Sequence, residues 1–521
     1  MNDDSSLLTP DSTLKYGVDF LSIDPKEFFS EELHEECGVF GIYGNDRLSP
    51  AYACYNGLLA LQHRGQESCG IAVNDRGVIS GHKNMGLVSE VFNNEVLDSL
   101  SGQMAIAHVR YSTAGGSVRE NSQPLVMRYV KGTLAIAHNG NLTNAYEVRK
   151  ELEQRGAIFQ TTIDSEAIAY LIARERIKAG SVEAAVEMTM AQLEGAYSLL
   201  VMSPQKLIAA RDPHGFRPLC MGRLGNSIVF ASETCALAAC GAEFVRDVEP
   251  GEIVVVDEDG VHSIRSCIPE KPKKSLCVFE YIYFARTDSE IDGISVYKSR
   301  KEAGRILARE FPVEADIVIG VPESGIDAAI GYSEESGIPY EKGIVKNGYI
   351  GRTFIKPTQK ERANSVKLKL NPLRSVLEGK RVVVIDDSIV RGTTCDRIVK
   401  MLRGAGAKEV HLRISSPPFI WPCFYGTDIP SRDELIAVKH TIDEICELTG
   451  ADSLGFFPPD KLGEMLLGQN TGFCDACFSG RYPTKVPEKM LSGKERGGLD
   501  FDKKLPPKTG ERSCIGKDEQ E

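Results

Sequence analysis

The stretch from Arg381 to Thr394, RVVVIDDSIVRGTT, constrains the fold of this chain more than any other. Val382, Val383, Val384 and Ile385 make a continuous β-branched run. Such a run suits a parallel strand covered on both faces, because a sheet with one wet face would demand alternation. Asp386 and Asp387 follow at once, where the strand should end. Ligands of open α/β sheets sit at the carboxyl ends of strands, and acids there can hold ribose hydroxyls or a hydrated Mg²⁺. Ser388, Arg391, Gly392, Thr393 and Thr394 then supply hydroxyls, a cation and one flexible residue before a helix predicted over Cys395 to Leu402. A turn of that kind aims backbone N–H groups and a helix N-terminus at a phosphate. For the two aspartates alone, a buried strand with an acidic turn is the simpler reading.

The whole arrangement, four apolar residues, DD, then S-x-x-R-G-T-T, resembles the phosphoribosylpyrophosphate (PRPP) loop of type I phosphoribosyltransferases. That resemblance implies the ligand class and says nothing about which nucleophile attacks the sugar.

At 521 residues the chain has room for two or more domains, each with its own core. A formal charge of −12 supplies no net basic field to recruit nucleic acid or an anionic membrane. No apolar run approaches the roughly 18 residues that span a bilayer. Residues 1–36 are acidic, with neither a secretory apolar region nor the Arg-rich character of a transit peptide, and read as a leader of another kind. Fourteen cysteines are too unevenly placed for a disulfide framework. A reducing compartment follows, the cytoplasm or an organelle stroma.

After the leader, Cys37-Gly38-Val39-Phe40-Gly41-Ile42 reads as a short buried strand opening with a thiol. A cut between Glu36 and Cys37 would give one residue both a nucleophile and a free α-amine of pKa about 8 to serve as its base. From these six residues alone a structural cysteine is the simpler reading. Three further segments, Gln62 to Glu67 (QHRGQE), His108 to Thr113 (HVRYST) and His138 to Asn141 (HNGN), each put polar groups beside short apolar runs. Helix Ser165 to Ala179, for which capping by Asp164 is the weaker of two readings of that residue, an amphipathic helix over 183 to 194, and strands Tyr197 to Met202 and Leu207 to Ala210 are expected as scaffold. His214, in the turn-rich RDPHGFRP, is read as structural.

Together these segments resemble the glutamine amidotransferase domain of the N-terminal-nucleophile class, an αββα sandwich, over about residues 37 to 265. The resemblance implies Cys37 as nucleophile for the glutamine amide. It implies the Asn139 side chain and the Gly140 N–H as oxyanion donors, Arg110 as the clamp on the glutamine carboxylate, and Asp164 as partner of its ammonium.

A linker, residues 267–276, leads to a second domain over 277–485, with a polar tail over 486–521. Cys277 to Ser289, CVFEYIYFARTDS, is aromatic and alternating and reads as a half-buried strand near the domain interface. A helix over Lys298 to Glu310 is expected next, then a strand Ile317 to Val321 running into Pro322-Glu323-Ser324-Gly325, where glycine permits close backbone approach. By resemblance to the phosphoribosyltransferases, Glu323, Ser324 and Gly325 meet the diphosphate of PRPP, with Ser324, Asp386 and Asp387 at one Mg²⁺. That requires the two strand ends to lie side by side. Residues 343 to 370 are basic; Lys346, Arg352, Lys356 and Lys367 form either a solvated loop or a lid that grips the polyphosphate.

Cys277, Cys423, Cys474 and Cys477 remain. A single C-x-x-C is compatible with zinc, redox chemistry or an iron–sulfur cluster. The two halves in this order resemble the amidophosphoribosyltransferase family over nearly all of residues 37 to 485. Its iron–sulfur branch implies one [4Fe–4S] cluster on these four thiols, with zinc as the alternative. The resemblance further implies the committed entry into purine synthesis, glutamine, PRPP and water giving 5-phosphoribosylamine, glutamate and diphosphate. It also implies ammonia passed between the sites, purine nucleotides as feedback inhibitors, and a homo-oligomer, commonly a tetramer. Thr287 stands where the family usually has proline, and Gly348 where a basic residue is common. A PRPP-sensing regulator would add a basic DNA-binding element, which is not visible, and a hexosamine or asparagine synthase would lack the PRPP loop.

Overall fold

The strand Gly38–Tyr43 is buried along nearly its whole length because it runs through the middle of a sheet and has a second sheet beneath it. The computed structural model describes residues 37–111, 117–266, 274–348 and 370–486, apart from 428, 430 and 469–471. The expected leader, Arg352, Lys356, Lys367 and Cys514 lie outside the described residues.

Seven antiparallel strands form the first sheet, in the order 243–247, 220–224, 227–231, 38–43, 104–110, 68–75 and 78–85. Six form the second, in the order 260–264, 253–257, 207–211, 195–202, 132–142 and 125–129. Val39, Ile106, Ala137, Leu200 and Phe230 interdigitate between the two. Helix Pro50–Ala60 covers the outer face of the first sheet through Ala53, Cys54 and Leu58. Asp164–Lys178 and Val182–Met190 cover the second through Ile168, Ile172 and Val186. The first half is therefore an αββα sandwich.

The second half is built on a parallel sheet, Ile317–Gly320, Arg381–Asp386, Glu409–Ile414 and Ser453–Phe456 in that order. The continuous run at 382–385 has the reason expected of it. Val383 and Ile385 pack toward Ile306, Leu307 and Tyr332 on one face, while Val382 and Val384 pack toward Ile398, Val399 and Leu402 on the other. Burying each such side chain contributes about 1.5–3 kcal/mol.

Helix boundaries shift by a few residues: Val296–Glu310, Thr393–Gly404 and Val182–Met190 replace the spans predicted from 298, 395 and 183. The segment after Cys277 is a larger correction. Only Leu276–Cys277 is extended, and Glu280–Phe284 forms a single helical turn of the wide, π type. The half-buried strand fails because Val278, Phe279, Glu280, Tyr281 and Ile282 are all buried, so the segment has no wet face for alternating residues.

Helices Val296–Glu310 and Gly325–Ser336 approach closely through glycine: a methyl group at Gly304 would lie 1.8 Å from the Ala328 carbonyl oxygen. Gly304→Ala is expected to lower stability by about 1–3 kcal/mol or more through overpacking, measured as a shift in the urea unfolding midpoint. Gly463→Ala, where an added methyl group meets nothing within 4 Å, should stay within about 0.5 kcal/mol.

Candidate functional site

Cys37 opens the central strand of the first sheet. Its Sγ lies 3.6 Å from the Tyr111 carbonyl oxygen. Burial pushes the Cys37 thiol up, opposed by the Arg110 guanidinium. Arg110 closes the neighbouring strand, pairing with Ser68 on its other side, and its head lies 3.8 Å from Glu67. Thus QHRGQE and the described part of HVRYST, His108 to Tyr111, come together beside the thiol, Ser112 and Thr113 lying outside the described residues.

HNGN lies in strand Gly132–Leu142 of the second sheet. Asn139 is 1% exposed, and neither atom of its side-chain amide has a hydrogen-bond partner. An unpartnered buried amide is costly unless something else supplies the acceptor, and an oxyanion would. Gly140 has φ +143°, and a Cβ there would meet the Ala196 carbonyl oxygen at 2.1 Å, so only glycine fits.

Asp164 does not cap its helix as expected; Ile163 holds that position. One carboxylate oxygen instead accepts from the Leu142 N–H at 3.0 Å and the other lies 3.4 Å from His138 Nδ1. Burial would raise this carboxyl, but His138 and the hydrogen bonds from Leu142 and Ser165 hold it below its ordinary value. Sequence reasoning missed His138 as its neighbour, although the histidine stands within the quoted motif.

Sequence reasoning also missed what lies under Cys37. Arg64 Nε donates to the Cys37 carbonyl oxygen at 3.1 Å. Its Nη1 donates to Glu233 at 2.7 Å and to Glu280 at 2.9 Å, and Nη2 donates to Glu280 at 2.8 Å. Arg217 adds a second guanidinium 3.4 Å from Glu280. All four side chains are 0% exposed. The only signal was Arg64 within QHRGQE; its partners are 169 and 216 residues away.

The PRPP-loop candidate sits at the expected strand ends. Strands Ile317–Gly320 and Arg381–Asp386 are parallel neighbours, and the Val321 N–H donates to the Ile385 carbonyl oxygen at 2.9 Å. Ser324 and Ser388 both donate to the Asp387 carboxylate. A Cβ on Gly325 would lie 2.3 Å from the Ile385 oxygen, which explains the glycine. Burial first, then the charge of Asp387, raises the Asp386 carboxyl well above its usual range. Burial raises Asp387 as well, against the pull of the two serine hydroxyls and Arg300. Two adjacent acids beside a serine hydroxyl form a hard-oxygen set, and a divalent cation would relieve their repulsion.

Gly392 has φ +94° and precedes helix Thr393–Gly404, whose first turn also carries Thr394. Arg391 donates to Glu434 at 2.6 Å. Glu323 and Lys346 are exposed, Lys346 ending a short strand that pairs with Leu370–Pro372. Thr287, where proline was usual, donates to Asp327 at 2.6 Å and accepts from Arg300 at 3.2 Å.

Cys277, Cys423, Cys474 and Cys477 line one cavity, walled by Phe216, Phe279, Tyr425, Ile429 and Tyr482. Cys277 and Cys474 are register partners in a short parallel pair. Burial pushes the thiols of both up to about 12. All twelve described cysteines are free. Among the described residues, no group of three or more His, Cys, Asp or Glu side chains is gathered as a single metal ion would need. None of the described helices is long and apolar enough to cross a membrane.

Residues 91–239 match the family model of a glutamine amidotransferase domain, and residues 296–415 that of a phosphoribosyl transferase domain. An amidophosphoribosyltransferase of Methanocaldococcus jannaschii is 51% identical over 472 residues, 88% of this chain and 100% of its own. The chloroplastic amidophosphoribosyltransferase 1 of Arabidopsis thaliana is 49% identical over 513 residues, 95% of this chain and 89% of its own. The solved glutamine PRPP amidotransferase of B. subtilis, complexed with ADP and GMP, superposes with a TM-score of 0.80 at 48% identity, covering 87% of this chain and 98% of that one.

The lowered carboxyl of Asp164 has a consequence for stability. A carboxylate held below its unfolded value stabilises the fold above pH about 4, and that contribution is lost as pH falls through the folded value. The difference in Tm between the protein and Asp164→Asn should shrink on acidification below pH about 4, read by calorimetry.

Proposed function

This chain belongs to the amidophosphoribosyltransferase family, and from that premise we propose how its residues divide the work. It converts glutamine, PRPP and water to 5-phosphoribosylamine, glutamate and diphosphate, in purine biosynthesis. The observation that supports the division is that a buried thiol and a buried amide without a hydrogen-bond partner among the described residues lie in the first half, and a serine-and-aspartate turn pair in the second.

Cys37 attacks the glutamine amide, its proton passing to the α-amine that cleavage after Glu36 would expose. The buried thiol needs that base, because its own environment favours the neutral form. Arg110 and Asp164 hold the two charged ends of glutamine, while the Asn139 amide and the Gly140 N–H receive the charge that develops on the carbonyl oxygen. Ammonia leaves, and water releases glutamate from the thioester. Ammonia then attacks the ribose C1 and displaces diphosphate. Free ammonia is largely protonated at neutral pH, so the passage between the sites must be dry.

Asp386 and Asp387 hold the ribose side of PRPP. Ser388, Arg391, Gly392, Thr393 and Thr394 cradle its 5-phosphate, and Glu323, Ser324 and Gly325 face the diphosphate. Lys346 and Arg352 belong to a lid that excludes water. Ser324, Asp386 and Asp387 would hold Mg²⁺, which when bound would supply charge neutralisation on the diphosphate side of PRPP. The four thiols fit a [4Fe–4S] cluster, whose irons each take one thiolate and so need wider spacing than a single zinc ion. Bound there, it would tie the segments around Cys277, Cys423 and Cys474 together. Purine nucleotides are inhibitors in this reading, as the ADP and GMP of the B. subtilis complex suggest, the assembly is a tetramer, and the site of action is the cytoplasm or another reducing compartment.

Cys37→Ala should abolish glutamine-driven diphosphate release and leave the ammonium-driven rate within about twofold; loss of both would contradict separate sites. Asp386→Asn or Asp387→Asn should reduce both rates by at least about 100-fold. Intact-mass measurement should show a chain beginning at Cys37. Iron and sulfide analysis should give four of each per chain, and Cys477→Ser should lose them together with thermal stability.

A further inference from the structure

The charge network beneath Cys37 does not stop at the junction of the two halves. The second oxygen of Glu233 accepts from the Arg286 N–H at 2.9 Å and from the Ser289 hydroxyl at 2.6 Å. Both donors belong to the stretch that contains Thr287. The Thr287 hydroxyl donates to Asp327 at 2.6 Å and accepts from Arg300 Nη1 at 3.2 Å. Arg300 also donates to the carbonyl oxygens of Tyr281, Tyr283 and Ala285, so it fixes the same stretch from the other side. Asp327 stands in the first turn of helix Gly325–Ser336, whose start is pressed against Ile385.

We propose that Thr287 is a positioning residue that joins the buried network holding the Cys37 carbonyl to the helix carrying the diphosphate-side turn. The route runs from Cys37 through Arg64, Glu233 and the stretch 286–289 to Asp327, with a hydrogen bond or a covalent link at every step. In this chain, where threonine replaces the usual proline, the hydroxyl at position 287 donates to a carboxylate and accepts from a guanidinium at once; valine matches its shape and does neither. The link sets the Cys37 strand and the diphosphate turn in one relative attitude, so that glutamine is opened only where ammonia has an acceptor. It rests on the two-site division above and adds the part that holds the sites in register.

Because Thr287 is exposed, valine there leaves the core untouched. The test uses the purified full-length protein and measures glutamate and diphosphate released from glutamine and PRPP. The protein itself should give one glutamate per diphosphate. Thr287→Val should lower glutamine-driven diphosphate release by about fivefold while glutamate release falls less, so that their ratio rises to about three. Its KM for glutamine and its ammonium-driven rate should stay within about twofold, and Thr287→Ser should restore the ratio. A ratio that stays at one in Thr287→Val, or that rises equally in Thr287→Ser, overturns the proposal. Failure of the unaltered protein to release diphosphate from PRPP with either nitrogen donor would overturn the two-site division instead.

Discussion

Arg64 is the residue on which the two halves depend. A guanidinium with no exposure is tolerated only when its charge is met and its donors are filled. Here Glu233 from the first half and Glu280 from the second meet it, while Arg217 balances the second acid. Two positive and two negative charges therefore share one dry volume, with partners drawn from both sides of the junction. Neither half can satisfy its own members alone, since removing the 280 segment would leave Arg64 and Arg217 facing a single carboxylate. The Nε of Arg64 donates to the Cys37 carbonyl oxygen, so the charge balance of the junction also sets the attitude of the residue that carries the thiol.

The same junction is closed a second time around the thiol cavity. Phe216 stacks on Tyr425 with ring centroids 4.1 Å apart, and Asn141 donates across to the Phe424 carbonyl at 3.0 Å. Arg217 donates to the Tyr425 carbonyl at 3.1 Å. The loop carrying Cys423 thus leans directly on the strand that carries Asn139 and Gly140. A group joining Cys423 to Cys277, Cys474 and Cys477, as proposed above, would therefore also brace the strand that carries Asn139 and Gly140.

Much of this was legible in the chain because it is written locally. The run 382–385 declares a doubly covered strand, DD marks its end, and glycines at 140, 325 and 392 mark places where backbone crowds backbone or turns left-handed. What was not legible is written between distant positions. Alternation in Cys277 to Ser289 looked like a strand, yet burial on every side made it a turn of helix, because both halves and the thiol cavity surround it. Asp164 read as a cap by its place before a helix, and instead serves Leu142 and lies beside His138 on a neighbouring strand. Glu233 and Glu280 carry no local sign that they will face an arginine; periodicity reports which face is apolar, not which charge will be waiting across it.

The electrostatics of the two sites run in the same sense, burial favouring the uncharged form of the ionisable groups at each. At Cys37, burial favours the neutral thiol, so attack by its sulfur waits for a base. At Asp386 and Asp387, burial and repulsion favour protonated acids until a cation or a polyhydroxylated ligand arrives. Each site is poor at its task when empty and becomes competent as its ligand replaces missing solvation. A small neutral molecule made at one and consumed at the other then has to cross between them without meeting bulk water, which would protonate it.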